Sequence, residues 1–303
     1  MIKIGLLEFG LREHSMPPMD VLEDVINHAL EADNLGYTRF WLTEHHNLSP
    51  GWNNPEMLLP IIAGLTENMR IGIAGILLSI HSPYRVALNF KLLSNLFPGR
   101  VDLGLANGVP NYRVAQFLSN DLQLRKDFPA GFDAKLAELT VFLRDEMAHI
   151  EDKVVITPHL GEIPAIWNLR SSYKSMHSSL TLGINTSLSV FHGNIDIPQQ
   201  RENLARYRLE YEEKHGETPE INIAFAGICH TSEDTAKRRF RELGFGEGYP
   251  YNCVVGTPTY FVDTLSQWRE QLDIDEFIFH NLEVVGEERA TTLKQVSEAF
   301  QLK

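Results

Sequence analysis

The chain has 303 residues, of which 43% are hydrophobic and 22% are charged, and its formal net charge at pH 7 is −13. This composition is typical of a soluble globular protein that is long enough to bury a sizeable core. The negative charge argues against sequence-independent binding to nucleic acid or to anionic membranes, because both of these partners are themselves negative.

Cysteine usage and the distribution of apolar residues predict a cytoplasmic protein. The two cysteines, Cys229 and Cys253, are too few for a disulfide framework and are expected to be reduced thiols. The first apolar run is broken by Lys3 and ends at Glu8, which favours a first strand over a signal peptide. No apolar run approaches about 18 residues, so no membrane span is expected.

Short apolar runs alternate with longer helical patterns through the first half of the chain. Gly36 and Pro98-Gly99 mark helix ends, and Asn54-Pro55 is typical of a helix start. The predicted strands are Ile2–Leu7, Thr38–Leu42, Ile71–Leu78 and Val101–Ala106, and the predicted helices are Pro17–Leu35, Asn54–Thr66, Pro83–Phe97 and Phe132–His149.

The second half of the chain repeats this alternation. Two segments, Asn111–Gly131 and Gly244–Gly256, are predicted to be loops. The predicted strands are Ala165–Asn168, Asn185–Phe191, Ile221–Cys229 and Glu276–His280, and the predicted helices are Ser172–Leu182, Arg201–His215, Ser232–Leu243, Pro258–Leu272 and Glu287–Leu302.

Eight strands separated by helices predict an α/β fold with a parallel sheet covered by helices. Eight strands in about 300 residues favour a closed TIM-type (β/α)₈ barrel over an open sheet. The segment Glu8–Leu11 lacks the glycine-rich turn that a doubly wound fold carries after its first strand. No linker is visible, so residues 1–303 are expected to form one domain.

In such a barrel the chemistry lies at the carboxyl ends of the strands, and Glu44-His45-His46 follows the second strand. Neighbouring side chains on an extended segment point to opposite sides, so one histidine is expected to face the barrel mouth. A histidine there can act as a base or as a hydrogen-bond donor near neutral pH. A structural role and a metal site are the alternatives.

Two further strand ends carry small residues. Glycines within Ile71–Ile76 weaken a strand unless something approaches it closely, either a flat aromatic ring against Ala74 and Gly75 or a tightly packed helix. The segment Leu103–Gly108 leaves room at the barrel mouth, where Asn107 can donate and accept hydrogen bonds. A simple strand-to-loop turn is the alternative for this segment.

The fifth strand passes into a helix at Arg170–Ser175. Hydroxyl groups at a helix start, free backbone N–H groups and an arginine together favour a phosphate site, in which Ser172 and Ser175 share one face of the first turn. Ordinary helix capping is the alternative. Other signals are weaker: Gly244–Gly248 follows a helix and makes a poor dinucleotide fingerprint, and His81, His230 and His280 show no metal-ligand spacing.

Together these segments resemble the bacterial-luciferase-like flavin monooxygenase family. The resemblance is strong over about the first 110 residues and loose beyond them. It rests on Phe40–Asn47 (FWLTEHHN), on the run from His81 (HSPYRVA) to Gly104 (FPGRVDLG), and on the generic later matches Ser171-Ser172, Leu182-Gly183, Gly256–Pro258 and Asp275-Glu276.

The resemblance implies a barrel that binds reduced FMN, or in some branches the deazaflavin F420, at its carboxyl-terminal mouth. His45 corresponds to the family's active-site histidine. Ala74 and Gly75 match a bulge in the third strand, whose peptide is often cis and lies against the flavin ring. Ser172 and Ser175 match hydroxyl positions that hold the flavin phosphate.

Two positions depart from the family pattern. Ala106 stands where luciferase has a reactive cysteine, and Asn107 stands where relatives usually carry a phosphate-binding arginine. A neutral amide replaces a charged clamp there, so Arg170 is hypothesised to compensate. The segment between Glu233 and Gly256 is also short for a family that often carries a long mobile lid there.

The resemblance therefore implies a monooxygenase that uses O₂ to oxygenate a small organic substrate. Because no nicotinamide fingerprint is visible, the reduced FMN is expected from a separate NAD(P)H:flavin reductase, and a homodimer is expected by resemblance alone. Three alternatives remain: an F420-dependent oxidoreductase on the same fold, a non-catalytic flavin-binding subunit, and a metal-dependent barrel hydrolase.

Overall fold

The computed structural model describes residues 1–11, 16–47, 51–119, 131–192, 197–245, 252–283 and 286–303. Within these ranges the chain forms nine strands. They are β1 (Lys3–Glu8), β2 (Arg39–Leu42), β3 (Arg70–Leu77), β4 (Val101–Ala106), β5 (Ala165–Arg170), β6 (Asn185–Ser189), β7 (Ile221–Cys229), β8 (Cys253–Gly256) and β9 (Glu276–Asn281).

Ten α-helices and two short 3₁₀ helices, Pro55–Met57 and Tyr173–Met176, accompany the strands in the same ranges. The α-helices are α1 (Pro18–Asn34), α2 (Leu59–Leu65), α3 (Pro83–Leu96), α4 (Tyr112–Ser119), α5 (Phe132–Arg144), α6 (His177–Leu182), α7 (Ile197–His215), α8 (Glu233–Glu242), α9 (Pro258–Leu272) and α10 (Glu287–Phe300). No helix in the described ranges is both long enough and apolar enough to cross a membrane.

The strands form a closed parallel barrel, as the alternating pattern predicts. Pairing runs from β1 through β2, β3, β4, β5 and β6 to β7, and β9 closes the ring by pairing with both β7 and β1. The fold is therefore a TIM-type (β/α)₈ barrel. Strand β8 is additional, and it pairs only with the carboxyl-terminal half of β7. Burial is nearly continuous along β7, because helices cover the outside and side chains fill the inside.

The structure corrects several predicted boundaries. The segments predicted as loops contain α4 and β8, while residues 120–130 and 246–251 lie outside the described ranges. The helix predicted over 54–66 is divided, because Pro60 lacks an N–H group and is accommodated in the first turn of α2 instead of inside one continuous helix. Similarly, the helix predicted over 172–182 is a 3₁₀ turn followed by α6.

Neighbouring strands leave no room for a side chain at three glycines of β3 and β4. A Cβ on Gly72 would lie 2.4 Å from the Asp102 carbonyl oxygen, and one on Gly104 would lie 2.3 Å from the Ile73 carbonyl oxygen. At Gly75 it would lie 2.5 Å from a methyl carbon of Leu169. For the two glycines of β3, the sequence predicts either a flat ring or a packed helix, and the neighbouring strands supply a third reason.

A buried polar layer closes the amino-terminal end of the barrel around Asp102, which is 0% exposed. One carboxylate oxygen accepts from Arg39 Nη1 at 2.8 Å and Trp41 Nε1 at 2.9 Å. The other accepts from Arg70 Nη2 at 2.7 Å and from Trp167 Nε1 at 3.3 Å. Four strands are thus joined through one carboxylate, and the donors supply the pairing that a buried charge requires.

Candidate active site

A cavity of about 550 Å³ lies at the carboxyl ends of the barrel strands. Its lining comes from β1 to β7 and from the loops that follow them. Six of the residues singled out from the sequence line it, namely His45, Ala74, Gly75, Asn107, Arg170 and Ser172. The structure therefore brings together residues that lie up to 127 positions apart in the chain, from 45 to 172.

His45 faces this cavity, whereas His46 does not line it. The Nδ1 atom of His45 lies 2.9 Å from the Thr43 hydroxyl oxygen, which fixes the ring orientation. Burial lowers the pKa of His45, and the nearby His192 and His46 imidazoles lower it further against the opposing effect of Glu44. His45 is consequently a neutral imidazole at pH 7, able to donate or accept one hydrogen bond towards a ligand.

The Glu44 carboxylate is engaged with His46, His81 and the end of β3. Its Oε1 accepts hydrogen bonds from Nε2 of His46 and Nε2 of His81, each at 2.7 Å, and its Oε2 accepts from the Leu77 N–H at 2.8 Å. Burial alone would raise the pKa of Glu44, but the two histidine hydrogen bonds outweigh it and lower the value to about 2. This ionised carboxylate fastens the end of β2 to the end of β3.

Strand β3 carries the bulge that the resemblance implies. The register with β4 shifts between Ile73 and Ile76, and the Ala74–Gly75 peptide is cis. Both residues line the cavity, so this stretch of backbone forms part of one wall.

Asn107 lies at the cavity edge, one residue beyond β4, and is exposed. Its Oδ1 accepts a hydrogen bond from the buried Ser79 hydroxyl at 2.8 Å. The amide therefore brings no positive charge to the position at which relatives usually carry arginine.

Arg170 ends β5 and lines the same cavity. Its Nη2 donates to Ser178 Oγ at 3.0 Å and to Asp133 Oδ1 at 3.3 Å, and its guanidinium carbon lies 4.7 Å from the centre of the Phe132 ring. The Nε atom is buried and has no hydrogen-bond partner in the described structure.

The structure describes the side chain of only one of the two serines of the predicted phosphate site. Ser172 lines the cavity and occupies the N-cap position of the 3₁₀ helix, but its side chain makes no capping hydrogen bond, so capping does not explain it. Ser175 lies within that helix, and its side chain is outside what the structure describes.

The profile of the luciferase-like monooxygenase family matches residues 5–298. The chain belongs to this family. It is 31% identical to the N-acetyl-S-alkylcysteine monooxygenase of Bacillus subtilis (strain 168) over 243 residues, which cover 78% of this chain and 71% of the relative.

Solved structures share the same barrel. Apo-MsnO8 superimposes with a TM-score of 0.82 at 25% identity, covering 100% of this chain and 99% of that chain. The oxygenating constituent of 3,6-diketocamphane monooxygenase from a Pseudomonas putida plasmid, solved in complex with FMN, has a TM-score of 0.75 at 16% identity, covering 99% and 98%. The latter likeness shows the luciferase-like fold alone.

Sequence reasoning missed an aromatic wall of this luciferase-like cavity. The Phe9 ring lies 4.9 Å from the His45 ring and 4.1 Å from the His280 ring, and the Phe191 ring lies 4.2 Å from the His192 ring. Burial lowers the pKa of His280 to about 4 and also lowers that of His192. These residues lie in or just after four different strands, so no local pattern in the sequence joins them.

The metal alternative has no ligand set in the described ranges. No group of three or more His, Cys, Asp or Glu side chains is arranged there to hold a metal ion. The Glu44 carboxylate lies beside His46 and His81, but its Oε1 accepts a hydrogen bond from each of these histidines.

Proposed function

We propose that the protein is an FMN-dependent monooxygenase that binds reduced FMN in the 550 Å³ cavity and uses O₂ to oxygenate a small organic substrate. The observation that carries this proposal is the convergence of His45, the Ala74–Gly75 bulge and Arg170 on one cavity. Membership of the luciferase-like monooxygenase family supports the reaction class.

The residues present fit a flavin mononucleotide. A volume of about 550 Å³ is within the range of roughly 300–1,000 Å³ for cofactor sites, and Ala74 and Gly75 leave a wall without bulky side chains for a flat ring. The unpaired Nε of Arg170 supplies a charged donor for a phosphate, beside the Ser172 hydroxyl. Bound reduced FMN would supply the electrons that activate dioxygen, which no protein side chain provides.

The protein residues orient the reactants and control protons. The neutral His45 ring, held by Thr43, can donate or accept one hydrogen bond in the cavity. Phe9, Trp41 and Phe191 line the same space with apolar surface, which excludes water from the reacting groups.

The reduced FMN is proposed to come from a separate NAD(P)H-dependent reductase. The sequence has no glycine-rich nicotinamide fingerprint following a strand, since Gly244–Gly248 follows α8. A reductase partner would therefore deliver reduced flavin by diffusion or by transient contact.

The decisive experiment is anaerobic titration of the protein with reduced FMN, followed by admission of air while absorbance is recorded. We expect saturable binding and reoxidation at a rate that differs from that of free reduced FMN. Parallel titration with F420 provides the comparison. Binding of F420 without binding of FMN would replace the proposal with the hydride-transferring alternative, and binding of neither would contradict the proposal.

A further inference from the structure

Arg170 lies between two cavities. It lines the 550 Å³ active-site cavity and also a second cavity of about 340 Å³ between α5 and α6. Of the residues that line the active-site cavity, Arg170 is the single arginine or lysine in the described structure. Because the whole chain carries a net charge of −13, a local cation favours the binding of an anionic ligand.

The contacts of Arg170 leave part of its guanidinium unsatisfied. The side chain is only 9% exposed, and its Nε–H has no acceptor. A buried charged donor without a partner is destabilising, and an oxyanion placed at this edge would satisfy it. The stacking on Phe132 and the bond to Ser178 hold the planar group in place meanwhile.

The counter-ion of Arg170 is weakly held. The Asp133 carboxylate lies at 3.3 Å from Nη2, and its side chain is 75% exposed. An ion pair of this length with a solvated carboxylate contributes little, so a better-placed anion can displace it. Ser178 Oγ donates to the same carboxylate at 2.8 Å, which keeps Asp133 near the site.

We propose that Arg170 is the anion-binding residue of the active site, that Ser178 positions its guanidinium, and that Asp133 is a temporary counter-ion which the incoming oxyanion displaces. The chemistry is that of a phosphate monoester or a carboxylate, from either FMN or an acidic substrate. The first source rests on the proposed function. The chain would thus have moved its anion-binding cation from the end of β4, where Asn107 stands, to the end of β5.

The first test compares the binding of oxidised FMN and riboflavin, which differ only in the phosphate, by quenching of flavin fluorescence. We expect the unmodified protein to prefer FMN by roughly 10- to 100-fold, the range for one hydrogen-bonded charge. Arg170→Gln should abolish this preference while leaving riboflavin affinity unchanged. Adding Asn107→Arg to that variant should restore it, because the charge returns at the other strand end.

Asp133→Asn distinguishes a counter-ion from a structural contact. A displaced counter-ion competes with the ligand, so its removal should strengthen FMN binding several-fold and leave riboflavin binding unchanged. A purely structural role predicts weaker binding of both flavins. Arg170→Lys, which keeps the charge and loses the planar fork, provides a second variant if Arg170→Gln does not fold, as judged by circular dichroism.

A second test uses inorganic phosphate alone, followed by ³¹P line broadening on the full chain. Phosphate binding that depends on Arg170, together with equal affinities for FMN and riboflavin, would assign the anion site to the substrate. If neither flavin binds, the proposed function fails, and the phosphate titration still decides on the anion site. The inference is overturned if Arg170→Gln changes neither phosphate binding nor the FMN preference.

Discussion

His45, His192 and His280 surround the rings of Phe9 and Phe191 at the mouth of the barrel. Burial lowers the pKa of each of the three histidines, and mutual repulsion between imidazoles adds to the effect for His45 and His280. At neutral pH three uncharged imidazoles therefore lie around these two phenylalanine rings, while the fixed positive charge of the cavity lining lies on Arg170.

Replacing His45 with alanine should reduce turnover sharply while reducing flavin affinity only modestly. The ring is expected to act on the reactants, a contribution of about 10²- to 10⁴-fold for a positioned acid or base, and not to hold the cofactor. Steady-state turnover and flavin titration of the same preparation would measure both quantities. Full activity in the variant would defeat the assignment of His45.

The stability of the protein should fall on mild acidification because of His280. Unfolded histidine titrates near pH 6.5 and folded His280 near pH 4, so between these values the unfolded chain binds more protons. At pH 4.5 the free energy of unfolding should be lower by roughly 2–3 kcal/mol from this group. The acidic residues with strongly lowered pKa values, Glu8 and Glu44, act only below about pH 4.5.

Denaturant unfolding of the unmodified protein and of His280→Gln would measure this effect. The difference between the two proteins at pH 8 reports the packing of the substituted side chain. The change in that difference between pH 8 and pH 4.5 reports protonation, and it should favour the variant at the lower pH. A pH-independent difference would show that His280 takes no part.

At the scale of the elements, the barrel is held at its amino-terminal end by the Asp102 layer, which links β2, β3, β4 and β5. Arg39 extends the layer to β9, since its Nε donates to Glu276 Oε1 at 2.8 Å. The carboxyl-terminal end is left free for the cavity, and there Glu44 joins β2 to β3.

Asp102→Asn should lower the free energy of unfolding by about 3 kcal/mol, because it leaves the buried Arg39 and the partly exposed Arg70 without their shared carboxylate. The matched control is Asp273→Asn, since the Asp273 side chain is 93% exposed and its left-handed backbone conformation suits asparagine. That control should stay within about 0.5 kcal/mol. Equal effects of the two substitutions in denaturant unfolding would rule out the proposed role of the layer.

Much of the barrel could be predicted because each barrel strand is a buried run bounded by turn residues, as in β4 between Gly99 and Asn107. Strand β8 has four residues and pairs only with β7, and α4 is two turns long, so neither gives a periodic signal of sufficient length. His45 and Arg170 followed from motifs at strand ends. Phe9 and Phe191, whose ring centres are 6.5 Å apart, come together only after the barrel has closed, which no local pattern reveals.

At the scale of the whole molecule, α2, α3 and the 3₁₀ helix before α2 carry exposed apolar side chains. The 3₁₀ helix adjoins α3, since Asn89 donates to Glu56. We propose these helices as the homodimer interface that the resemblance implies, because association would remove their apolar side chains from water. The side chains are Met57, Ile61, Leu65, Leu92 and Leu96.

Ile61→Glu and Leu92→Glu together should weaken the homodimer roughly tenfold or more, because a symmetric interface would bury each new charge twice. Sedimentation velocity across a concentration series would measure the dissociation constant. Leu209→Glu provides the control, since this side chain is also exposed but lies on α7. A monomer at tens of micromolar, or a dimer insensitive to the pair, would contradict the proposal.

The Asp102 layer also determines how ligands can bind and dissociate. Trp41 lines the active-site cavity and donates to Asp102, so the cavity is closed at its deep end. Two ligands that share this cavity would therefore both enter and leave on the side of the barrel mouth. If the flavin occupies the deeper position, it binds before the organic substrate and dissociates last. Steady-state kinetics would then show a compulsory order, in which an unreactive analogue of the organic substrate traps the flavin on the protein and does not compete with it.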